Sequence, residues 1–120
     1  MDLELQDKII VVTGGSKGIG HAITNLLSDE KAIPFIVSRD KKSILNTVEQ
    51  IEKKGGKCSY ALAELTDPQQ GKEAIEKAIS EFGTIHGLVN NAGVNDGVGL
   101  EDGNVDRFVN SLNKNLVHYY

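Results

Sequence analysis

Short apolar runs alternate along the chain with longer stretches in which apolar residues recur every three or four positions. Continuous apolar runs bounded by glycine or polar residues predict buried strands, and the longer spacing predicts amphipathic helices. The predicted strands are residues 8–13, 33–37, 57–63 and 85–89. The predicted helices are residues 18–30, a segment between Asp40 and Gly55, a segment between Asp67 and Gly83, and residues 105–119.

Strands that alternate with helices predict an α/β fold, in which a parallel sheet carries helices on both faces. Right-handed crossovers and a switch point after the first strand give a doubly wound sheet with the strand order 3-2-1-4. Pro34 lacks an amide donor, so we expect it near the start of its strand. Asp40 is a candidate helix cap, and Asp67, Pro68 and Gln70 follow the order of a cap, a first-turn proline and a capping-box glutamine.

The end of the sequence predicts an incomplete domain. The last helix has no stop signal, and the fourth strand would lie at an uncovered edge of the sheet. Parallel strands are rarely left exposed in this way. We therefore expect residues 1–120 to be the N-terminal half of a larger domain.

A glycine-rich turn, Thr-Gly-Gly-Ser-Lys-Gly-Ile-Gly over residues 13–20, joins the first strand to the first helix. The first amides of a helix have no internal acceptor, and the helix dipole favours an anion beside them. Gly14 would allow the tight turn, Gly18 would let a pyrophosphate approach the backbone, and Gly20 would let the helix pack against its strand. The alternative is a sharp turn that binds no ligand.

The composition and charge of the chain argue against nucleic acid, a membrane and a metal ion as partners. The formal net charge is −4 and no long basic run occurs, which argues against nucleic acid. No apolar run approaches the ~20 residues of a membrane span, and the acidic N-terminus does not resemble a signal peptide. The only cysteine, Cys58, excludes an intrachain disulfide and fits a reducing compartment, so we expect a cytoplasmic protein. The three histidines, His21, His86 and His118, have no metal-ligand spacing, so no metal site is predicted.

Three motifs carry a resemblance to a known family. They are Thr13-Gly14-x-x-x-Gly18-x-Gly20, then Asn90-Asn91-Ala92-Gly93, and then Asn115, which follows Asn91 by 24 positions. Together they resemble the short-chain dehydrogenase/reductase family. The resemblance covers the whole chain and implies a Rossmann-type fold, a nicotinamide cofactor, a small-molecule substrate and a homo-oligomer, often a homotetramer.

The catalytic groups of that family are only partly present. Members are about twice this length and continue through a serine and a Tyr-x-x-x-Lys pair, neither of which can be placed here. Tyr119 and Tyr120 are the last residues and no lysine follows them. We therefore expect the 120-residue chain alone to be inactive. The family assigns Asn115 a catalytic role, in which its backbone carbonyl holds a water of a proton relay. The alternative for Asn115 is an amide that is satisfied by core backbone.

Shorter segments suggest a branch of the family. Residues 87–97, residues 115–120 and the Ala-Ile-Pro entry to the second strand resemble bacterial L-fucose dehydrogenases. This resemblance implies a sugar substrate. Asn95 and Asp96 would then contact the substrate, since an amide and a carboxylate suit a polyol. Both residues also favour turns, which is the alternative for them.

The end of the second strand should select the cofactor. Ser38 stands where an NAD-preferring member has aspartate, and Arg39 can bind a 2′-phosphate as a forked donor. Lys17 supports the same assignment, although it could be a solvated loop lysine. We therefore favour NADP over NAD. If the alignment of this strand end to the family were shifted by two positions, the preference would be for NAD.

The remaining cofactor contacts are carried over from the family. Ser16 would donate to the phosphates, Glu64 and Leu65 would lie beside the adenine, and Ala92 and Gly93 would leave room for the adenosine ribose. Asn90 would tie neighbouring strand ends together. The full cofactor set is Gly14, Ser16, Lys17, Gly18, Ile19, Gly20, Ser38, Arg39, Glu64, Leu65, Asn91, Ala92 and Gly93.

The sequence thus favours an NADP-dependent dehydrogenase that acts on a secondary alcohol such as a sugar. The alternatives are a member similar to 3-oxoacyl-carrier-protein reductases, a module that binds nucleotide without chemistry, and a structural or regulatory fragment without a ligand.

Overall fold

The computed structural model describes residues 1–94, 101 and 103–119. Its helices and strands alternate as the hydrophobic pattern predicts. The strands are β1 (Ile9–Thr13), β2 (Ile33–Ser38), β3 (Ser59–Leu62) and β4 (Gly87–Val89). The helices are α1 (Gly18–Asp29), α2 (Lys41–Lys53), α3 (Pro68–Phe82) and α4 (Val105–Asn115), followed by a short 3₁₀ turn, Val117–Tyr119.

The sheet confirms the predicted topology. Its strands are parallel and lie in the order β3-β2-β1-β4. β1 is central, with Ile10 opposite Pro34 of β2 and Gly87 of β4. Pro34 is the second residue of its strand, as its missing amide donor requires. The carboxyl ends of all these strands therefore meet along one edge of the sheet, where open α/β folds bind ligands.

Two apolar cores lie on opposite faces of the sheet, because successive side chains of a strand point to opposite sides. On one face Val11, Phe35 and Val37 pack against Ala74 and Ala78 of α3. On the other face Ile10 and Val12 pack against Ile23 and Leu27 of α1. Strands buried on both faces explain why β1 and β2 are continuously apolar rather than alternating.

The helix caps follow the sequence with one exception. Asp40 caps α2 by accepting from the Ser43 amide, and Asp67 caps α3 by accepting from the Gln69 amide. Gln70 does not close a capping box onto the backbone of Asp67. Its Oε1 accepts instead from the amide of Glu64, at 2.7 Å, so this side chain fixes the loop between β3 and α3.

The end of the described chain differs from the prediction. α4 stops at Asn115 rather than continuing to residue 119, and the 3₁₀ turn redirects the backbone. The Tyr119 hydroxyl then donates to the carbonyl of Ala92, at 2.9 Å. This contact brings the chain end back to the loop after β4, which a straight helix would not do.

β4 is shorter than the predicted strand, and a side chain takes part in the pairing just before its start. The amide of Ile9 donates to Nδ1 of His86 at 2.9 Å, where a backbone carbonyl would otherwise accept. The His86 amide still donates to the Ile9 carbonyl. Within the described residues, no helix is both long and apolar enough to cross a membrane.

The packing at Gly20 yields a stability prediction. A Cβ on Gly20 would overlap the Gly14 carbonyl oxygen and the Asn91 side chain, so Gly20→Ala should destabilise the protein by about 1–3 kcal/mol. Gly71 is the matched control because it is also helical and its added Cβ would lie 3.9 Å from the nearest side-chain atom. Gly71→Ala should stabilise the protein by up to about 1 kcal/mol. Urea unfolding of the full-length protein measures the free energy of unfolding of both variants. Equal changes in Gly20→Ala and Gly71→Ala would contradict the packing argument.

Candidate functional site

A cleft of about 440 Å³ opens at the carboxyl ends of the strands, within the size range of small-molecule sites. It runs from the ends of β2 and β3, past the turn before α1, to the loop after β4 and the end of α4. The predicted cofactor residues line it except for Gly18 and Gly20, which belong to the turn itself. Its lining comprises Gly14, Ser16, Lys17, Ile19, Val37, Ser38, Arg39, Asp40, Ala63, Glu64, Leu65, Thr66, Asn91, Ala92, Gly93, Val94, Lys114 and His118.

The N-terminus of α1 lacks a side-chain cap. Asp40, Asp67 and Asn104 cap the other α-helices, whereas Lys17 at the N-cap of α1 makes no capping hydrogen bond. The first-turn amides, those of Gly18 to Gly20, find no acceptor within the part of the chain that the structure describes. A helix start with free amides and no acidic residue in its first turn is suited to an anionic ligand.

Gly18 has the geometry of a close-approach glycine. Its φ is +54°, and a Cβ there would meet no atom within 4 Å. Packing within the described residues therefore does not require glycine at this position, whereas the left-handed backbone favours it. The open space is where a bound phosphate would come near the backbone, so these residues fit the pyrophosphate of a dinucleotide.

Gly14 and Gly20 serve close packing instead. Gly14 has a φ of +66°, and its added Cβ would lie 3.0 Å from Cα of Ala92. Gly20 lies against the Gly14 carbonyl and the Asn91 side chain. These contacts hold the start of α1 against the ends of β1 and β4, as the sequence predicts for Gly20.

Asn91 joins the ends of β1 and β4, a role that the sequence analysis assigned to Asn90. The Asn91 side-chain amide donates to the carbonyls of Thr13 and Gly14, at 3.1 and 3.2 Å. The Thr13 hydroxyl accepts from the amides of Asn91 and Ala92, both at 3.0 Å. Asn90 is exposed and lines a neighbouring groove instead. The Asn91 side chain therefore positions the cleft floor.

Ser16 is buried, and its hydroxyl contacts α2. Ser16 Oγ lies 2.8 Å from Ser43 Oγ, which itself donates to the Asp40 carbonyl. Because Ser43 has one hydroxyl proton, Ser16 must be the donor to Ser43. The proton that the sequence analysis assigned to a cofactor phosphate is thus committed to α2 in this arrangement.

Lys17 and Asp40 form an ion pair at the rim of the cleft. Lys17 Nζ lies 2.5 Å from Asp40 Oδ2. The hydrogen bond from Lys17 lowers the pKa of Asp40 below its ordinary value, and the Ser43 amide adds to the effect. Asp40 thus stays ionised at neutral pH while it caps α2.

Arg39 and Glu64 form a second ion pair at the same end of the cleft. Arg39 Nη1 lies 3.0 Å from Glu64 Oε2. Partial burial raises the pKa of Glu64, but the hydrogen bonds from Arg39 and Thr66 outweigh it, and the net pKa is lowered. Both predicted cofactor-selecting bases therefore already have a carboxylate partner. Ser38 and Leu65 line the same cleft.

Asn115 bridges α4 and the loop after β4. Its Oδ1 accepts from the Val94 amide at 2.7 Å, and its Nδ2 donates to the Ser111 carbonyl at 3.1 Å. A Cβ on Gly93 would lie 2.8 Å from that Oδ1, so Gly93 leaves room for Asn115. Asn95 and Asp96, the predicted substrate residues, lie outside the described residues.

A comparison with protein-family models matches residues 8–120 to the model for short chain dehydrogenases. The chain belongs to the short-chain dehydrogenase family. Among curated relatives, the 3-oxoacyl-[acyl-carrier-protein] reductase FabG of Thermotoga maritima is 35% identical over 92 residues, which are 77% of this chain and 37% of that protein. The chain spans half or less of the length of the curated relatives it matches.

Solved structures agree with this family. The Cj0485 dehydrogenase is 33% identical with a TM-score of 0.86, and the match covers 100% of this chain and 45% of that one. A citronellol catabolism dehydrogenase from Pseudomonas aeruginosa is 30% identical with a TM-score of 0.89, covering 96% and 47% of the two chains. The sheet and its flanking helices thus have the same fold as the matching parts of these dehydrogenases.

Sequence reasoning missed several residues that support the cleft. Thr13 is the last residue of the first predicted strand, and a hydroxyl directly before a glycine turn can accept from neighbouring amides. Ser43 and Thr47 of α2 and His21 of α1 form a polar contact between helices, in which His21 Nδ1 lies 3.1 Å from Thr47 Oγ1. Nothing in the spacing of these residues indicates that contact, because it depends on how α1 and α2 meet.

The Thr13 hydrogen bonds yield a second prediction. Thr13→Val keeps the shape of the side chain but leaves the amides of Asn91 and Ala92 without their acceptor. It should destabilise the full-length protein by about 1–3 kcal/mol. Thr13→Ser retains the hydroxyl and should destabilise the protein clearly less than Thr13→Val does. Chemical denaturation compares the two, and equal losses would show that the Thr13 methyl group rather than its hydroxyl stabilises the strand ends.

Proposed function

We propose that this chain is the cofactor-binding half of an NAD(P)-dependent oxidoreductase. The observation that carries the proposal is the uncapped start of α1, whose free amides border the open space at Gly18. A dinucleotide supplies the anion that such amides accept. When bound, the nicotinamide supplies hydride transfer to or from a carbon of the substrate.

The cleft residues suit successive parts of the cofactor. The amides of Gly18, Ile19 and Gly20 would hold the pyrophosphate. Ser38 and Arg39 would contact the adenosine ribose, and Glu64 and Leu65 would border the adenine. Gly14, Asn91, Ala92 and Gly93 would form the floor toward the nicotinamide, and Ser16 would hold the turn from behind, through Ser43.

NADP is the proposed cofactor, with NAD as the alternative. Arg39 and Lys17 both reach the end of the cleft where a 2′-phosphate would lie. A guanidinium offers forked donors that match phosphate oxygens. No aspartate stands at Ser38 to repel that phosphate.

The substrate is proposed to be a secondary alcohol of a sugar such as L-fucose, contacted through Asn95 and Asp96. The second candidate is a 3-oxoacyl thioester, because the Thermotoga maritima relative carries that reductase name. Oxidation of L-fucose with NADP, measured against reduction of a 3-oxoacyl thioester with NADPH by the full-length protein, separates the two substrates.

Asn115 is proposed as a catalytic residue through its backbone carbonyl. The carbonyl lies where α4 ends, and the amide of Tyr119 donates to Leu116 rather than to Asn115. Among the described residues no donor to this carbonyl is found, so it can hold a water for a proton relay, while the Asn115 side chain fixes the loop at Val94. The homotetramer and the cytoplasmic location rest on the family resemblance and on composition, and they stay predictions.

The Gly18 site yields a third prediction. Gly18→Ala places a Cβ where the pyrophosphate must approach, so the affinity for NADP and NAD should fall by roughly tenfold or more. Gly55 is the matched control, since its φ is +83° and its added Cβ also meets no atom within 4 Å. Gly18→Ala and Gly55→Ala should each lower the free energy of unfolding by about 1 kcal/mol. Titration calorimetry on the full-length protein should show weaker binding only for Gly18→Ala, and unchanged binding would refute the site.

The cofactor assignment yields a fourth prediction. Arg39→Ala removes a charge-assisted contact of about 1.5–3 kcal/mol. The ratio of kcat/KM for NADP to that for NAD should therefore fall roughly tenfold to a hundredfold. Lys53→Ala is the control because Lys53 is an exposed base outside the cleft that pairs with Glu49. If the ratio does not move in Arg39→Ala, the 2′-phosphate is recognised elsewhere or is not a ligand.

A further inference from the structure

Two bases and two carboxylates line the end of the cleft at which the adenosine is proposed to bind. Lys17 is paired with Asp40 and Arg39 with Glu64, so the formal charge of this cluster is zero. The bases are 68% and 67% exposed and the carboxylates 37% and 38% exposed. Pairs so exposed are weak and exchangeable, so a ligand can compete for the bases.

The Glu64 carboxylate is held in place independently of Arg39. Its Oε1 accepts from the Thr66 hydroxyl at 3.1 Å and from the Thr66 amide at 3.4 Å. The Glu64 amide donates to Gln70 at the start of α3. Since these contacts come from its own loop, Glu64 keeps its place in the cleft lining even when Arg39 turns to another anion.

Asp40 is fixed in the same way, because it caps α2 through the Ser43 amide. A dianionic phosphate that reaches Arg39 or Lys17 would therefore meet two anchored carboxylates. A ribose with a free 2′-hydroxyl carries no charge at that point and meets no such repulsion. The two carboxylates should therefore weaken the binding of NADP and leave the binding of NAD unaffected.

We propose that Glu64 is a specificity-determining residue, which neutralises Arg39 and so limits the preference for a 2′-phosphorylated cofactor. Asp40 acts in the same direction through Lys17. The result is a protein that binds NADP and NAD with modest discrimination. This inference rests on the proposed function, because it assumes that a dinucleotide occupies the cleft with its ribose at Arg39.

Glu64→Gln tests the proposal because it removes the charge and keeps an acceptor for Thr66. The dissociation constant for NADP should fall roughly three- to tenfold, and that for NAD should change less than twofold. The effect should shrink as ionic strength rises, since it is electrostatic. Glu49→Gln is the control, because it removes one carboxylate from an exposed ion pair outside the cleft lining and should leave both constants unchanged.

Asp40→Asn is the second variant, because asparagine is also a good helix cap and α2 should stay intact. It should raise the affinity for NADP in the same selective way. The double variant Arg39→Ala with Glu64→Gln shows whether Glu64 acts through Arg39. In that background the gain from Glu64→Gln should fall to less than half of its value.

Binding is measured by titration calorimetry on the full-length protein, with NADP and NAD as the probes. An unchanged or lower ratio of NADP to NAD affinity in Glu64→Gln would overturn the inference. If Arg39→Ala still changes the ratio in that case, the proposed function stands and only the role of Glu64 fails. Wild-type protein that binds neither nucleotide would overturn the proposed function itself.

Discussion

The amide group of Asn91 holds together the parts from which the cleft is built. It donates to the last carbonyl of β1 and to the first glycine of the turn, and Gly20 of α1 lies directly against it. The Thr13 hydroxyl completes the contact by accepting from the two amides that follow β4. These few hydrogen bonds fix the turn from which α1 starts, and with it the position of the first-turn amides.

The electrostatics of the cleft are arranged in two zones. At the turn, the charge that faces a ligand comes from backbone amides and the helix dipole, which carry no counter-ion. At the other end, Lys17 and Arg39 each have a carboxylate beside them. In the proposed complex, recognition of the pyrophosphate would therefore be built into the backbone, whereas recognition of the ribose would depend on side chains that one substitution can change.

Hydrophobic periodicity predicted the order of strands and helices and the sheet topology, because β1 and β2 are buried on both faces. The tight turn at Gly14 and the close packing at Gly20 are confirmed, because both follow from a strand that turns directly into a helix. The pyrophosphate contact of Gly18 stays a prediction. The functions of Ser16 and Asn91 were not predictable in the same way. Their partners, Ser43 and Thr13, are fixed by how elements meet in three dimensions, and family motifs name a residue without naming its partner. The end of α4 was missed because Leu116 and Tyr119 continue the helical spacing although the backbone does not.

His86 ties β4 to the start of β1 through one nitrogen of its ring. Its Nδ1 can accept from the Ile9 amide only with a lone pair, so the ring must carry its proton on Nε2 in the folded chain. Ile9 and His86 thus exchange one side-chain and one backbone hydrogen bond. Because one of the two requires a particular tautomer of a particular side chain, the pairing of β4 with the start of β1 is specified by the residue at position 86 and not by the backbone alone.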